Sequence, residues 1–314
     1  MAAIWTVLSA VLPIFAIIGA GIFMRRTGKL TAEADQSLMR LTVNLLYPCL
    51  ILSSLLNNRV VNEPSNLFWA PLLGVATTAA GFGLALVIGQ FMKLPPTSRQ
   101  TFSFVVGIYN YGYIPVPLVI LLFDRATLGV LWLFTLGVET TFWTLGFMVL
   151  RGSSWRDGLK QLLSPPIIAI VVGVLFNLAH ADDYLPKFLT NTVGLIGNCA
   201  IPIALVTIGA TIHDYWGDFH PREDWQTTVS GISLRLLALP LLFILAACWL
   251  PCSIELKRIL VVQAAMPCGL FPILITKQEQ GDVGLALRVV LWTTALGIIT
   301  IPLWLKFGMI AVGV

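Results

Sequence analysis

Long apolar runs separated by short polar stretches dominate this chain. A helix that crosses a bilayer needs about 20 predominantly apolar residues. Ten segments approach or reach that length: 4–24, 34–56, 67–92, 101–122, 127–150, 165–181, 186–212, 226–250, 259–276 and 283–311. The pattern predicts ten membrane-spanning helices, hence an all-α membrane protein. The loops between them leave no room for a soluble domain. The first segment, Ile4 to Met24, is too long for a signal-peptide core and has no basic region before it, so it is expected to be a retained span. The start of the second, Ala32 to Val43, is amphipathic, with Glu33, Asp35, Gln36 and Arg40, and is read as an interfacial entry to the helix.

The segments repeat. Pro13–Phe23, PIFAIIGAGIF, matches Pro166–Phe176, PIIAIVVGVLF, at five of eleven positions, with an offset of 153. Asn44 and Pro48 recur as Asn198 and Pro202, offset 154, and Pro117 and Gly129 recur as Pro272 and Gly284, offset 155. The repeats divide the chain into 1–150, a short linker 151–160, and 161–314. Five spans per half is an odd number, so the second copy enters the membrane from the opposite side. Such an inverted repeat points to a secondary transporter with its site at the repeat interface.

Composition agrees. The 314 residues are 57% hydrophobic and 11% charged, against about 25% charged in soluble domains, which excludes a soluble two-domain protein. The net charge of +4 is read through topology rather than as a nucleic-acid surface. Arg25, Arg26, Lys29, Lys93, Arg99, Arg151, Arg156, Lys160, Arg222 and Lys277 fall in one set of loops. Arg59, Arg125, Lys187, Lys257, Arg258 and Lys306 fall in the other. The richer set is expected in the cytoplasm, which places both termini outside. Cys49, Cys199, Cys248, Cys252 and Cys268 form no CxxC and are expected as buried free thiols. His180, His213 and His220 lie near loops. No metal or cofactor is expected.

The fourth and ninth segments carry helix breakers at mid-span. Val106–Phe123, VGIYNYGYIPVPLVILLF, holds Gly107, Asn110, Gly112, Pro115 and Pro117. Val262–Ile275, VQAAMPCGLFPILI, holds Pro267, Gly269 and Pro272. Proline lacks an amide hydrogen and clashes with the preceding turn, so both helices are expected to unwind. Unpaired main chain in hydrocarbon is tolerated only beside a protein-lined or wet cavity. The amino ends that follow each break suit an anion such as a carboxylate. Two readings stand for the Asn44/Pro48 and Asn198/Pro202 pairs: bonding a carbonyl freed by the proline, or lining a substrate cavity. Glu139, central in the fifth segment, is either a proton-coupling group or a protonated structural carboxyl bonded to Thr140, Thr141 or a neighbouring helix. Arg235 and Arg288 either snorkel to the interface, pair with Glu139, or anchor a substrate carboxylate. Gln263 can bond substrate or cap main-chain groups.

The stretch Leu256–Ala286 resembles the ninth-span signature of the auxin efflux carrier family, which includes plant PIN-FORMED proteins and bacterial permeases linked to malonate and malate. That pattern is close to L-x-R-x-x-x-x-Q-A-A-x-P-x-G-x-x-P, matched by Leu256, Arg258, Gln263, Ala264, Ala265, Pro267, Gly269 and Pro272. Ser233–Leu242 is similar to the family's eighth span, Asn44–Leu55 to its second, and Asn110 and Pro115 to the fourth-span break. The resemblance implies a ten-span fold of the NhaA/bile-acid-symporter type with crossing fourth and ninth helices. It also implies a scaffold of spans 1, 2, 6 and 7, a transport domain of spans 3–5 and 8–10, elevator-type alternating access, and a homodimer as one assembly. The linker is far shorter than the regulatory loop of many plant members, as in a bacterial permease of the inner membrane.

The function read from this is secondary transport of a small organic anion, a mono- or dicarboxylate. The site is expected at Asn110, Tyr111, Gly112, Pro115, Gln263, Met266, Pro267, Cys268 and Gly269. A sodium-coupled symporter is the alternative, disfavoured by the single central carboxyl. A channel would need charge rings or a carbonyl filter, and an intramembrane enzyme a Ser/His pair, paired Asp motifs or HExxH. The chain shows none of these.

Overall fold

A computed structural model describes residues 2–151, 160–220 and 223–313, and among them every regular element is helical. Among the described residues seven helices are long and apolar enough to cross a membrane: α1 (Trp5–Arg26), α2 (Ala32–Leu55), α3 (Pro64–Phe91), α6 (Arg125–Arg151), α8 (Lys187–Asp214), α9 (Trp225–Trp249) and α12 (Val283–Val312). Between α3 and α6 lie two short helices, α4 (Pro96–Gly107) and α5 (Pro115–Leu122). A second short pair, α10 (Ile254–Ala264) and α11 (Phe271–Gln278), lies between α9 and α12. The apolar helix α7 (Pro165–Leu178) has 14 residues, about 21 Å at 1.5 Å per residue. Apart from its ends, the linker expected at 151–160 lies outside the described residues.

Local chemistry accounts for the irregularities. Pro48 and Pro240 cannot donate to the carbonyl four residues back, and each follows a widened π-helical turn, Thr42–Leu46 in α2 and Leu234–Ala238 in α9. A third such turn, Phe142–Gly146, interrupts α6 just after Glu139. Asp124 caps α6 and Asp282 caps α12 by accepting from main-chain amides three residues on.

α1 lies along the second half of α8 and against α12, while α2 packs on α7 and on the first half of α8. α3 packs on α4 and α6, α9 on α10, and α12 on α4, α10 and α11. Lipid tails offer no hydrophobic drive for helix association, so close backbone approach at small residues does that work. Gly74 lies on the carbonyl of Phe134 and Gly137 on the carbonyl of Pro71, so a Cβ at either would meet main chain where α3 crosses α6.

Candidate substrate site at two broken helices

The two broken pairs meet main chain to main chain. α4 ends at Gly107 and α10 at Ala264, and the extended segments that follow run antiparallel. The Asn110 amide donates to Pro267 O at 2.9 Å, and the Gly269 amide to Ile108 O at 3.0 Å, which pairs Tyr109 with Cys268. Groups that prolines and unwinding leave without helical partners are thus partly satisfied by the opposite break. Side chains complete the joint. Asn110 Oδ1 accepts from the Ile114 amide at 3.1 Å, just before Pro115 opens α5. Gln263 Nε2 donates to Tyr111 O at 3.2 Å, and the Cys268 amide donates to Thr293 Oγ1 of α12 at 3.3 Å.

Behind the joint stands Arg235 of α9, with no solvent exposure. Its Nε donates to Met266 O at 3.0 Å, and its guanidinium lies 4.7 Å from the centre of the Tyr109 ring. The interface-seeking reading of Arg235 is therefore corrected. Residue 235 is ten positions into α9, about 15 Å along the axis, too far for the side chain to reach the helix end. Arg288 sits near the start of α12 and pairs with Glu223 at 2.9 Å, not with Glu139.

Beside the joint is a cavity of about 300 Å³. Its wall takes Asn110, Tyr111 and Gly112 from one break and Gly269, Leu270 and Pro272 from the other. α2 adds Val43, Tyr47 and Ile51, α6 adds Trp132, Thr135, Glu139 and Trp143, and α7 adds Ile167 and Ile170. Of the lining residues, Ile51 is fully buried and Trp132 is 1% exposed, with Trp132 Nε1 donating to Ser54 Oγ at 2.6 Å, whereas Phe271 is 42% exposed.

Glu139 is half-buried on this wall. Its Oε1 accepts from the Tyr111 hydroxyl at 2.8 Å and its Oε2 from Trp143 Nε1 at 2.7 Å. Thr140 and Thr141, the partners expected from sequence, instead bond the carbonyls of Leu136 and Gly137. Across the cavity the Tyr47 hydroxyl is buried without a hydrogen-bond partner. It stands 3.3 Å from where a Cβ on Gly112 would be. Tyr47 is held edge-on by Tyr113 and Trp132, with ring centres 5.6 and 5.9 Å away.

The expected site residues divide into two shells. Asn110, Tyr111, Gly112, Gly269 and Glu139 line the cavity. Pro115, Pro117, Gln263, Met266, Pro267 and Cys268 are buried behind it. Asn44 and Asn198 are exposed and do not line it. Asn44 Nδ2 donates to Arg40 O at 2.8 Å, while Asn198 borders a separate surface cleft with Asn57 and Arg125. The aromatic wall from α2 and α6 went unread in the sequence. Among the described residues no three His, Cys, Asp or Glu side chains come together to hold a metal. At one end of the fold the Asp124 carboxyl meets Arg258 at 3.0 Å. Burial pushes Asp124 up, but hydrogen bonds from Thr127 and the charge and hydrogen bond of Arg258 outweigh it and hold it below its ordinary value.

Comparison with known proteins fits this architecture. A family model described as "Membrane transport protein" matches residues 6–157 and again 153–305. A protein of Methanothermobacter thermautotrophicus named "Uncharacterized transporter" is 25% identical over 303 residues, covering 94% of this chain and 96% of that one. Protein ECM3 of Saccharomyces cerevisiae is 27% identical over 97 residues, 31% of this chain and 16% of the yeast protein. The chain is a multi-pass membrane protein and belongs to the membrane transport proteins of the auxin efflux carrier family.

Proposed function

We propose that this protein is a secondary transporter of small organic carboxylates, with the cavity beside the two breaks as its substrate site. The observation that carries the reading is the joint itself. Two interrupted helices face each other through Asn110–Pro267 and Gly269–Ile108 main-chain bonds, and the amino end of α11, with the segment that leads into α5, lines a cavity. Amino ends of half-helices favour carboxylate.

On this reading the seven long helices, α7 and the two broken pairs are ten spans arranged as two inverted five-helix repeats. The group formed by α1, α2, α7 and α8 is the scaffold, and the remaining helices are the moving body. The cavity lies between them, with α2 and α7 on one wall and α6 and α11 on the other. Movement of one body against the other exposes it to alternate sides. The burial of Ile51 and Trp132 against the exposure of Phe271 supports a state open on one side, the cytoplasmic side of a bacterial inner membrane by the Lys and Arg bias. Sodium coupling has little support, since Glu139 is the one carboxyl on the cavity wall among the described residues.

Counterflow of labelled mono- and dicarboxylates in proteoliposomes, with and without pH and sodium gradients, tests this. Saturable exchange that Asn110→Ala and Pro267→Ala impair, in protein that stays monodisperse, is the expected result. Wild-type exchange by Asn110→Ala removes the site from the breaks.

A further inference from the structure

We propose that the carboxylate taken by this cavity also carries an ammonium group, making the substrate an amino acid with an apolar or aromatic side chain. The inference rests on the carboxylate reading above and sharpens it.

It starts from Glu139. The two hydrogen bonds it accepts come from neutral groups, Tyr111 and Trp143. An ionised carboxylate offers about four lone-pair positions, so two remain for a ligand. Among the described residues no Lys, Arg or His lines the cavity. Arg235 is on the far side of the Tyr109 ring, with its Nε turned to Met266 O. The positive charge that balances Glu139 therefore comes from outside the protein: a proton, a metal ion or a substrate group.

The rest of the wall discriminates among these. Hard metal cations take six or more oxygen ligands, whereas the wall that holds Glu139 also carries the rings of Tyr113, Trp132, Phe142, Trp143 and Phe271. Aromatic faces within about 6 Å attract alkylammonium groups and also pack an apolar side chain. A dicarboxylate fits poorly, because it would place three negative charges with Glu139 in a cavity without a basic side chain. The substrate carboxylate has its own marker in the partnerless Tyr47 hydroxyl beside Gly112. A buried hydroxyl without a partner is costly, and a bound carboxylate oxygen would relieve it. Ammonium at Glu139, carboxylate at Tyr47 and side chain among the rings give each of these groups a partner. At about 300 Å³ the cavity is at the small end of the range for small-molecule sites, about 300–1,000 Å³.

Three probes with one shared body test this in proteoliposomes holding the full chain: L-phenylalanine, 3-phenylpropanoate, which lacks the amine, and phenethylamine, which lacks the carboxylate. Phenylalanine is expected to exchange at least tenfold faster than 3-phenylpropanoate, and Glu139→Gln to abolish that preference. Equal or faster exchange of 3-phenylpropanoate by the wild type overturns the ammonium while leaving the carboxylate reading intact, with a proton then balancing Glu139. Exchange of phenethylamine alone overturns both. If none exchanges, thermal stabilisation of the folded protein by each probe decides. Stabilisation by phenylalanine in preference to both analogues supports the assignment, and its absence overturns it.

Discussion

The Tyr111 hydroxyl donates to Glu139 Oε1 at 2.8 Å, joining a residue of the first break to α6 across 28 positions of sequence. The same residue accepts through its carbonyl from Gln263, just before the second break. Tyr111 thus ties both breaks to the carboxyl of Glu139 on the cavity wall. Tyr111→Phe keeps the ring and removes the donor. A hydrogen bond to a charged group contributes about 1.5–3 kcal/mol, and this one is made within the protein, so the melting temperature in detergent is expected to fall, and substrate KM to rise because Glu139 loses the group that orients it. Measuring KM and melting temperature on one preparation checks both.

The side chain of Asn110 acts as a cap rather than a loop ornament. Its Oδ1 takes the Ile114 amide that no helical carbonyl serves. Losing an N-terminal cap costs about 0.5–2 kcal/mol. Asn110→Ala should therefore slow transport several-fold or more, while Asn110→Asp or Asn110→Ser, which keep an acceptor, recover part of it. Equal activity of all three variants would assign Asn110 no capping role.

Glycine positions separate tight crossings from open surface. A Cβ on Gly137 meets the Pro71 carbonyl, whereas one on Gly194 meets nothing within 4 Å. Gly137→Ala is expected to cost about 1–3 kcal/mol through overpacking. Gly194→Ala should be neutral or stabilising by up to about 1 kcal/mol through helix propensity. Thermal denaturation in detergent compares them directly.

What the sequence disclosed, and what it hid, follows from the range of each signal. Apolar segmentation is local, and every expected segment begins within five residues of a helix start. Prolines and glycines are equally local, so the interruptions at Asn110–Pro115 and Pro267–Pro272 were legible. Tyr47, Trp132 and Phe271 were not, because an aromatic residue in an apolar run reads the same whether it faces lipid, core or cavity. Trp143 had a usable signal: it follows Glu139 by four residues, on the same helix face. The contact of Tyr111 with Glu139 had none, since nothing local in the chain encodes which side chain of a distant break meets α6.

Asp124 gives a pH-dependent test away from the cavity. Its carboxyl lies below the ordinary value of 3.8 through hydrogen bonds from Thr127 and the charge and hydrogen bond of Arg258, which together outweigh burial. A carboxyl depressed in the folded state adds stability that is full above its unfolded value and is lost as pH falls through the folded one. Asp124→Asn keeps a good cap and removes the charge. The side chain is 55% exposed, so solvent screening holds the loss to about 0.5 kcal/mol or less. The difference from wild type should be present at pH 6 and shrink as pH falls below the ordinary carboxyl value in parallel melts.

Arg235 decides whether a buried cation serves the substrate or the frame. The guanidinium is fully buried, bonds Met266 O, stacks on Tyr109 and does not line the cavity. A bracing role follows, because the planar group holds the second break against the ring of the first. Arg235→Ala forfeits a desolvated cation–π contact and orphans a carbonyl, together about 3 kcal/mol. Arg235→Lys keeps the charge but lacks the planar fork, so it should recover little of the melting temperature. Turnover should fall in both variants. KM in Arg235→Lys should stay within about twofold of wild type, since the group lost does not touch the substrate. A tenfold rise in KM with unchanged melting temperature would instead make Arg235 a substrate anchor.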